Sequence, residues 1–125
     1  MKVRSKRMLT LMLLCWSLSE LRCAQLKDMA SLRDQLAEQY HQRNIEMKLI
    51  NGKALNVAFI NSEFNALEPE AKKIKAREIA SFVKSHYASI EGIELIGIAF
   101  VISNDYIVLN TTSANHYEFR KPELE

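Results

Sequence analysis

From Gln25 to Gln42 the apolar residues Leu26, Met29, Leu32, Leu36 and Tyr40 recur at steps of three and four, the period of one helix face. The repeat spans barely two and a half heptads, and Arg33 interrupts one seam position. The pattern therefore predicts a helix lying on its own sheet rather than a coiled coil. At Ile45 the period falls to two: Ile45, Met47 and Leu49 alternate with Glu46 and Lys48, and after Asn51-Gly52 the alternation resumes at Leu55, Val57 and Phe59. A two-residue Asn-Gly loop would set Met47 against Asn56. A three-residue loop, Ile50-Asn51-Gly52, with Gly52 left-handed, pairs Met47 with Leu55 and Ile45 with Val57 and keeps one face apolar.

A polar connection, Asn61 to Leu67, leads into a second helical pattern. Pro69 suits its first turn and Glu68 and Glu70 suit its positive end. Ala76, Ile79, Phe82, Val83 and Tyr87 share a face on the wheel, with His86 near the centre. Gly92 ends the linker, and Ile93 to Ile102 is apolar on both strand faces apart from Glu94. Such a strand is central and covered on both sides, or covered on one and used for contact on the other. Ser103-Asn104-Asp105 predicts a turn, Tyr106 to Leu109 a further strand, and Tyr117 to Phe119 a short one before Pro122. The fold class that follows is α+β, in the order α-β-β-α-β-β. It is expected as an antiparallel sheet of four or five strands with at least the second helix on one face.

The N-terminus changes the picture of where this domain works. Lys2, Arg4, Lys6 and Arg7 precede an apolar run, Met8 to Leu18, which is the build of a signal peptide. As a helix the run would cover roughly 16 Å of a hydrocarbon core about 30 Å thick, too little for a stable span. Ser17 and Ser19 put small residues at −3 and −1, so cleavage is expected after Ser19. The division expected is a signal peptide over 1–19, an amphipathic helix within 20–44, an α+β domain over 45–120 and a tail at 121–125. Cys15 and Cys23 both lack the flanking residues of a lipidation site. After cleavage only Cys23 remains, so no internal disulfide forms.

Cleavage also reverses the net charge. Of 17 Lys and Arg, four lie in the leader, which has no acid, so 13 remain against 15 Asp and Glu. The formal charge passes from +2 to −2, and nucleic acid loses its simplest support. Asn110-Thr111-Thr112 is a glycosylation sequon only in a eukaryotic secretory route.

Catalytic patterns are missing: there is no nucleophile elbow, Walker loop or dinucleotide fingerprint, and the chain's three glycines make no phosphate cradle. No cofactor is implied. His41, His86 and His116 fall on three separate elements without ligand spacing, so no metal site is expected. His86 is the candidate pH-sensitive or pocket residue, against the simpler reading of a last-turn histidine bonded to helix carbonyls. Lys72, Lys73, Lys75 and Arg77 form a candidate anion contact, offset by Glu68, Glu70 and Glu78 at helical spacing.

These features imply an exported protein, periplasmic or secreted, that is not an enzyme: an interaction or accessory domain meeting a protein partner through its first helix or its sheet face. An alternative is a small-ligand or enzymatic pocket lined by Phe59, Phe82, Phe100 and Tyr106. A third reading attaches the protein to a membrane through an uncleaved or lipidated N-terminus.

Overall fold

The computed structural model describes residues 24–103 and 112–124. The expected leader, the turn at Asn104-Asp105, the strand at Tyr106 to Leu109 and the sequon's first two residues all lie outside them. Helix α1 (24–40) is followed by strands β1 (Ile45–Ile50) and β2 (Ala54–Ile60), helix α2 (Pro69–His86), and strands β3 (Leu95–Ser103) and β4 (Thr112–Arg120). The α-β-β-α-β-β order stands. No described helix is long and apolar enough to cross a membrane.

The sheet has four strands in the order β1-β2-β3-β4, and it is mixed rather than antiparallel. β1 and β2, and likewise β3 and β4, pair antiparallel, but β2 and β3 run parallel through the centre. The reason lies in the connection. A hairpin returns a chain antiparallel, whereas the 18-residue α2 carries it the length of the sheet and back to the same end. Alternation along a strand says which face is buried and nothing about the direction of its neighbour.

Local chemistry sets the boundaries. α1 stops at residue 40 rather than Gln42 because His41 takes a left-handed φ of 54°. The Gln42 amide then donates to Ala37 C=O at 3.2 Å, closing the helix as a Schellman-type cap. In the first hairpin Asn51 (φ 53°) and Gly52 (φ 69°) are both left-handed, and Lys53 N–H donates to Ile50 C=O at 3.1 Å. The loop is thus Asn51-Gly52-Lys53, one residue later than expected. Met47 pairs with Val57, Leu49 with Leu55 and Ile45 with Phe59. The register has slipped by two residues, which leaves the apolar face intact. Asn61 (φ 52°) extends the parallel pair: its side-chain amide donates to Ser103 C=O and accepts from Ser103 N–H, both at 3.0 Å.

β3 begins at Leu95, and β4 is a nine-residue strand where only Tyr117 to Phe119 was expected. Thr112–Arg120 carries few apolar residues because just one of its faces reaches the core, at Tyr117 and Phe119. Apart from Gly97, every fully buried strand residue lies on one sheet face, and both helices cover it. Leu32 and Leu36 of α1 are 0% exposed, as are Ala76, Ile79, Ala80 and Val83 of α2. The first helix is therefore part of the same core as the sheet through Leu32 and Leu36. Two residues fall outside the pattern, Leu26 and Ile74, both about two-thirds exposed (68% and 69%).

Candidate functional site

Of the residues proposed as pocket lining, Phe59 and Phe100 belong to a buried aromatic cluster. Phe59 and Phe100 are fully buried with ring centroids 6.1 Å apart, and Phe64 packs edge-on between them at 5.8 and 5.7 Å. Tyr40 reaches in from α1, 6.2 Å from Phe59 and 5.9 Å from Phe82. Phe82 meets the cluster only at its edge, and Tyr106 lies outside the described residues. Phe64 is the aromatic member that helical and strand periodicity did not bring to this point, since it comes from a 3-10 turn, Glu63–Ala66, that joins β2 to α2; Tyr40 ends the apolar repeat of α1.

Tyr40 has a measurable consequence. Burial, helped by the Glu78 carboxylate, pushes its phenol up from 10 to about 12, because the charged phenolate is the form that burial disfavours. The folded state thus prefers neutral tyrosine. Its contribution is complete below pH 10 and is lost as the pH climbs from 10 toward 12. Tyr87, raised by burial and then by Asp28, adds in the same direction. The urea midpoint is expected to fall across that interval in the wild type and to fall less steeply in Tyr40→Phe. Equal slopes would remove Tyr40 from the account.

His86 is not inward-facing. It is exposed, stacks on Phe82 with centroids 3.9 Å apart and planes 12° off parallel, and bonds through Nδ1 to Phe82 C=O at 2.9 Å. The buried arc of α2 is centred between Val83 and Ala76, and at 100° per residue His86 sits on its flank. The four basic residues of α2 do not converge either. Lys75 pairs with Glu78 at 2.8 Å, and its ammonium lies 5.6 Å from the Phe64 centroid and 5.9 Å from that of Tyr40. Arg77 donates to Glu123 C=O at 2.8 Å. Lys73 is exposed and Lys72 half-buried, so the cluster is a dispersed face and not an anion cradle.

What the fold does bring together lies on the other face of the sheet, which no described element covers. Ladder pairing aligns Lys48, Asn56, Gly97 and Glu118 in one row across β1 to β4, and Glu46, Ala58, Ala99 and His116 in the next. Further rows hold Ile50, Ala54, Leu95 and Arg120 on one side, and Ile60, Val101 and Ala114 on the other. The two central strands thus offer small or apolar side chains, half-exposed, and the outer strands offer charge.

Gly97 shapes the middle of this face. A methyl group at that position would lie 2.9 Å from His116 Nε2 and collide with Asn56 Oδ1, so the missing side chain is what lets Asn56 and His116 lean over β3. His116 Nδ1 stands 3.7 Å from Glu118 Oε1, ion-pair distance when the ring carries a second proton. Asn56 and His116, with Glu46 and Lys48, border an open trough of about 390 Å³ floored by Ala58 and Ala99. Among the described residues no group of three His, Cys, Asp or Glu is placed to hold a metal ion. Sequence reasoning missed this trough because its members come from four strands whose order it did not settle. Comparison with family models, curated proteins and solved structures returned no match.

Proposed function

We propose that this chain is a small exported domain that acts by binding another protein chain and not by catalysis, and that the uncovered sheet face is the surface it uses. The observation that carries this reading is the half-exposed band of Ala54, Ala58, Ile60, Leu95, Ala99 and Val101 on β2 and β3. Central strands with apolar side chains facing water are uncommon unless something covers them in use. Export rests on the basic and apolar leader read from residues 1–19.

The small-ligand reading keeps one observation in its favour, the trough between Asn56 and His116. It is shallow and open, and its floor is alanine. A buried ligand site would close around most of its ligand.

A photo-crosslinking residue placed at Ala58 separates the readings, with Ile74 on the outer side of α2 as the control. In the native compartment Ala58 is expected to give protein adducts several-fold above Ile74. Equal yields from the two positions would defeat the proposal.

A further inference from the structure

The uncovered face is self-complementary, and we infer that its partner is a second copy of this chain, docked sheet to sheet about a two-fold axis parallel to the strands. The inference rests on the reading of that face as a protein-binding surface. Rotation about such an axis exchanges left and right across the sheet and keeps each row level. β1 of one copy then lies over β4 of the other, and β2 lies over the partner's β3, so each residue faces the copy of its own row's opposite member.

Taken row by row, the pairing matches. Lys48 falls opposite Glu118 of the second copy, and Glu46 opposite His116, whose imidazole has an N–H to give to the carboxylate. In the middle Ile60 meets Val101, Ala54 meets Leu95, and Ala58 meets Ala99. Asn56 meets Gly97, where the absence of a side chain leaves it room. Ile50 meets Arg120 through its aliphatic stem. Each contact occurs twice, as an isologous interface requires. An axis across the strands also brings Lys48 over Glu46, but it sets Ile50 over Asn44 and moves Asn56 from Gly97 onto Ala58, where no missing side chain leaves it room.

Packed sheets cross at about 30°, which displaces the outer pairs by roughly 4 Å, within the reach of Lys and Glu side chains. With strands about 4.8 Å apart and 3.3 Å of rise per residue, the face measures about 20 by 20 Å. At about 400 Å² a side it is smaller than the standard specific interface, so a weak dimer is expected, forming at high micromolar concentrations and above.

The test uses exposed positions and a charge exchange. By sedimentation velocity the wild-type mature chain is expected to pass from monomer to dimer, with Lys48→Glu and Glu118→Lys each weakening the dimer roughly tenfold by placing like charges opposite one another. An equal mixture of the two variants restores opposite charges at both sites, so a heterodimer should form at wild-type strength. Within one chain Lys48 and Glu118 are three strands apart, so the recovery cannot come from repair inside a monomer. A chain that stays monomeric up to about 1 mM overturns the inference, as does a mixture that fails to recover. So does a dimer indifferent to these substitutions and to Ala58→Arg, because its interface lies elsewhere. If the chain is monomeric while Ala58 still crosslinks to a different protein, the dimer is wrong and the binding face stands; if Ala58 gives no excess over Ile74, the binding face itself is wrong.

Discussion

A chain beginning at Asn44, without α1, is expected to lose its cooperative thermal transition. The periodicity of α1 alone is compatible with a mobile docking helix, but its placement is not: Leu32 and Leu36 are completely buried beside strand residues that include Phe59. Truncating a buried leucine to alanine costs about 2–5 kcal/mol, so removing both side chains approaches the whole stability of about 5–15 kcal/mol of an ordinary domain. Deletion would also expose one end of the sheet's apolar face. Far-UV circular dichroism on heating checks this, with Leu36→Ala as the milder variant, expected to melt cooperatively but well below the wild type. A truncated chain melting within a few degrees of the full one would show that α1 adds little and return it to the pool of interaction surfaces.

Phe59→Ala should be the most damaging single substitution, at about 3–5 kcal/mol. Its ring is fully buried and touches Tyr40, Phe64 and Phe100, so it joins α1, the turn after β2, and β3. The space left by the ring is bounded by other rings and by strand backbone, which limits how far it can close, and close packing makes each lost contact count. The same variant decides between core and pocket. Were Phe59 the wall of a ligand site already containing space, removing the ring would enlarge that space and cost little without ligand. Urea unfolding of Phe59→Ala beside Phe82→Ala, whose ring is half-exposed, checks it. A loss under about 1 kcal/mol at Phe59, comparable to a surface substitution, would contradict the filled core.

The element order was legible in the chain because periodicity reports which side of each segment is buried. Helical spacing in Leu32 and Leu36, and in Ile79 and Val83, marks residues that are wholly buried in the fold. Alternation in Ile45, Met47, Val57 and Phe59 correctly assigned the covered face of the first hairpin. The same period of two could not choose the loop, since a slip of two residues returns each side chain to the same face. Asn51 and Lys53 settled that point, one by taking a left-handed φ beside Gly52 and the other by closing the turn.

His86 shows the wheel's weakness at a helix end. Its angle places it near the apolar arc, but the last turn lies at the arc's flank, and the ring turns outward onto Phe82. β4 shows the converse. A strand with one buried face at the sheet's edge needs few apolar residues, so Ala114 to His116 does not read as strand until β3 is found beside it, and only Tyr117 to Phe119 shows the alternation.

What the sequence by itself determined about this protein is the class of fold, the order of its elements and which side chains go inside, because hydrophobic burial acts locally and its period is written along the chain. Only the tertiary structure decided that β2 and β3 run parallel, that α1 closes the core, and that Lys48, Glu118, Glu46 and His116 share one uncovered face with a glycine at its centre. Those facts depend on which strands become neighbours, and neighbours are chosen by the three-dimensional path of α2 and the packing beneath it, to which residues far apart in sequence contribute at once.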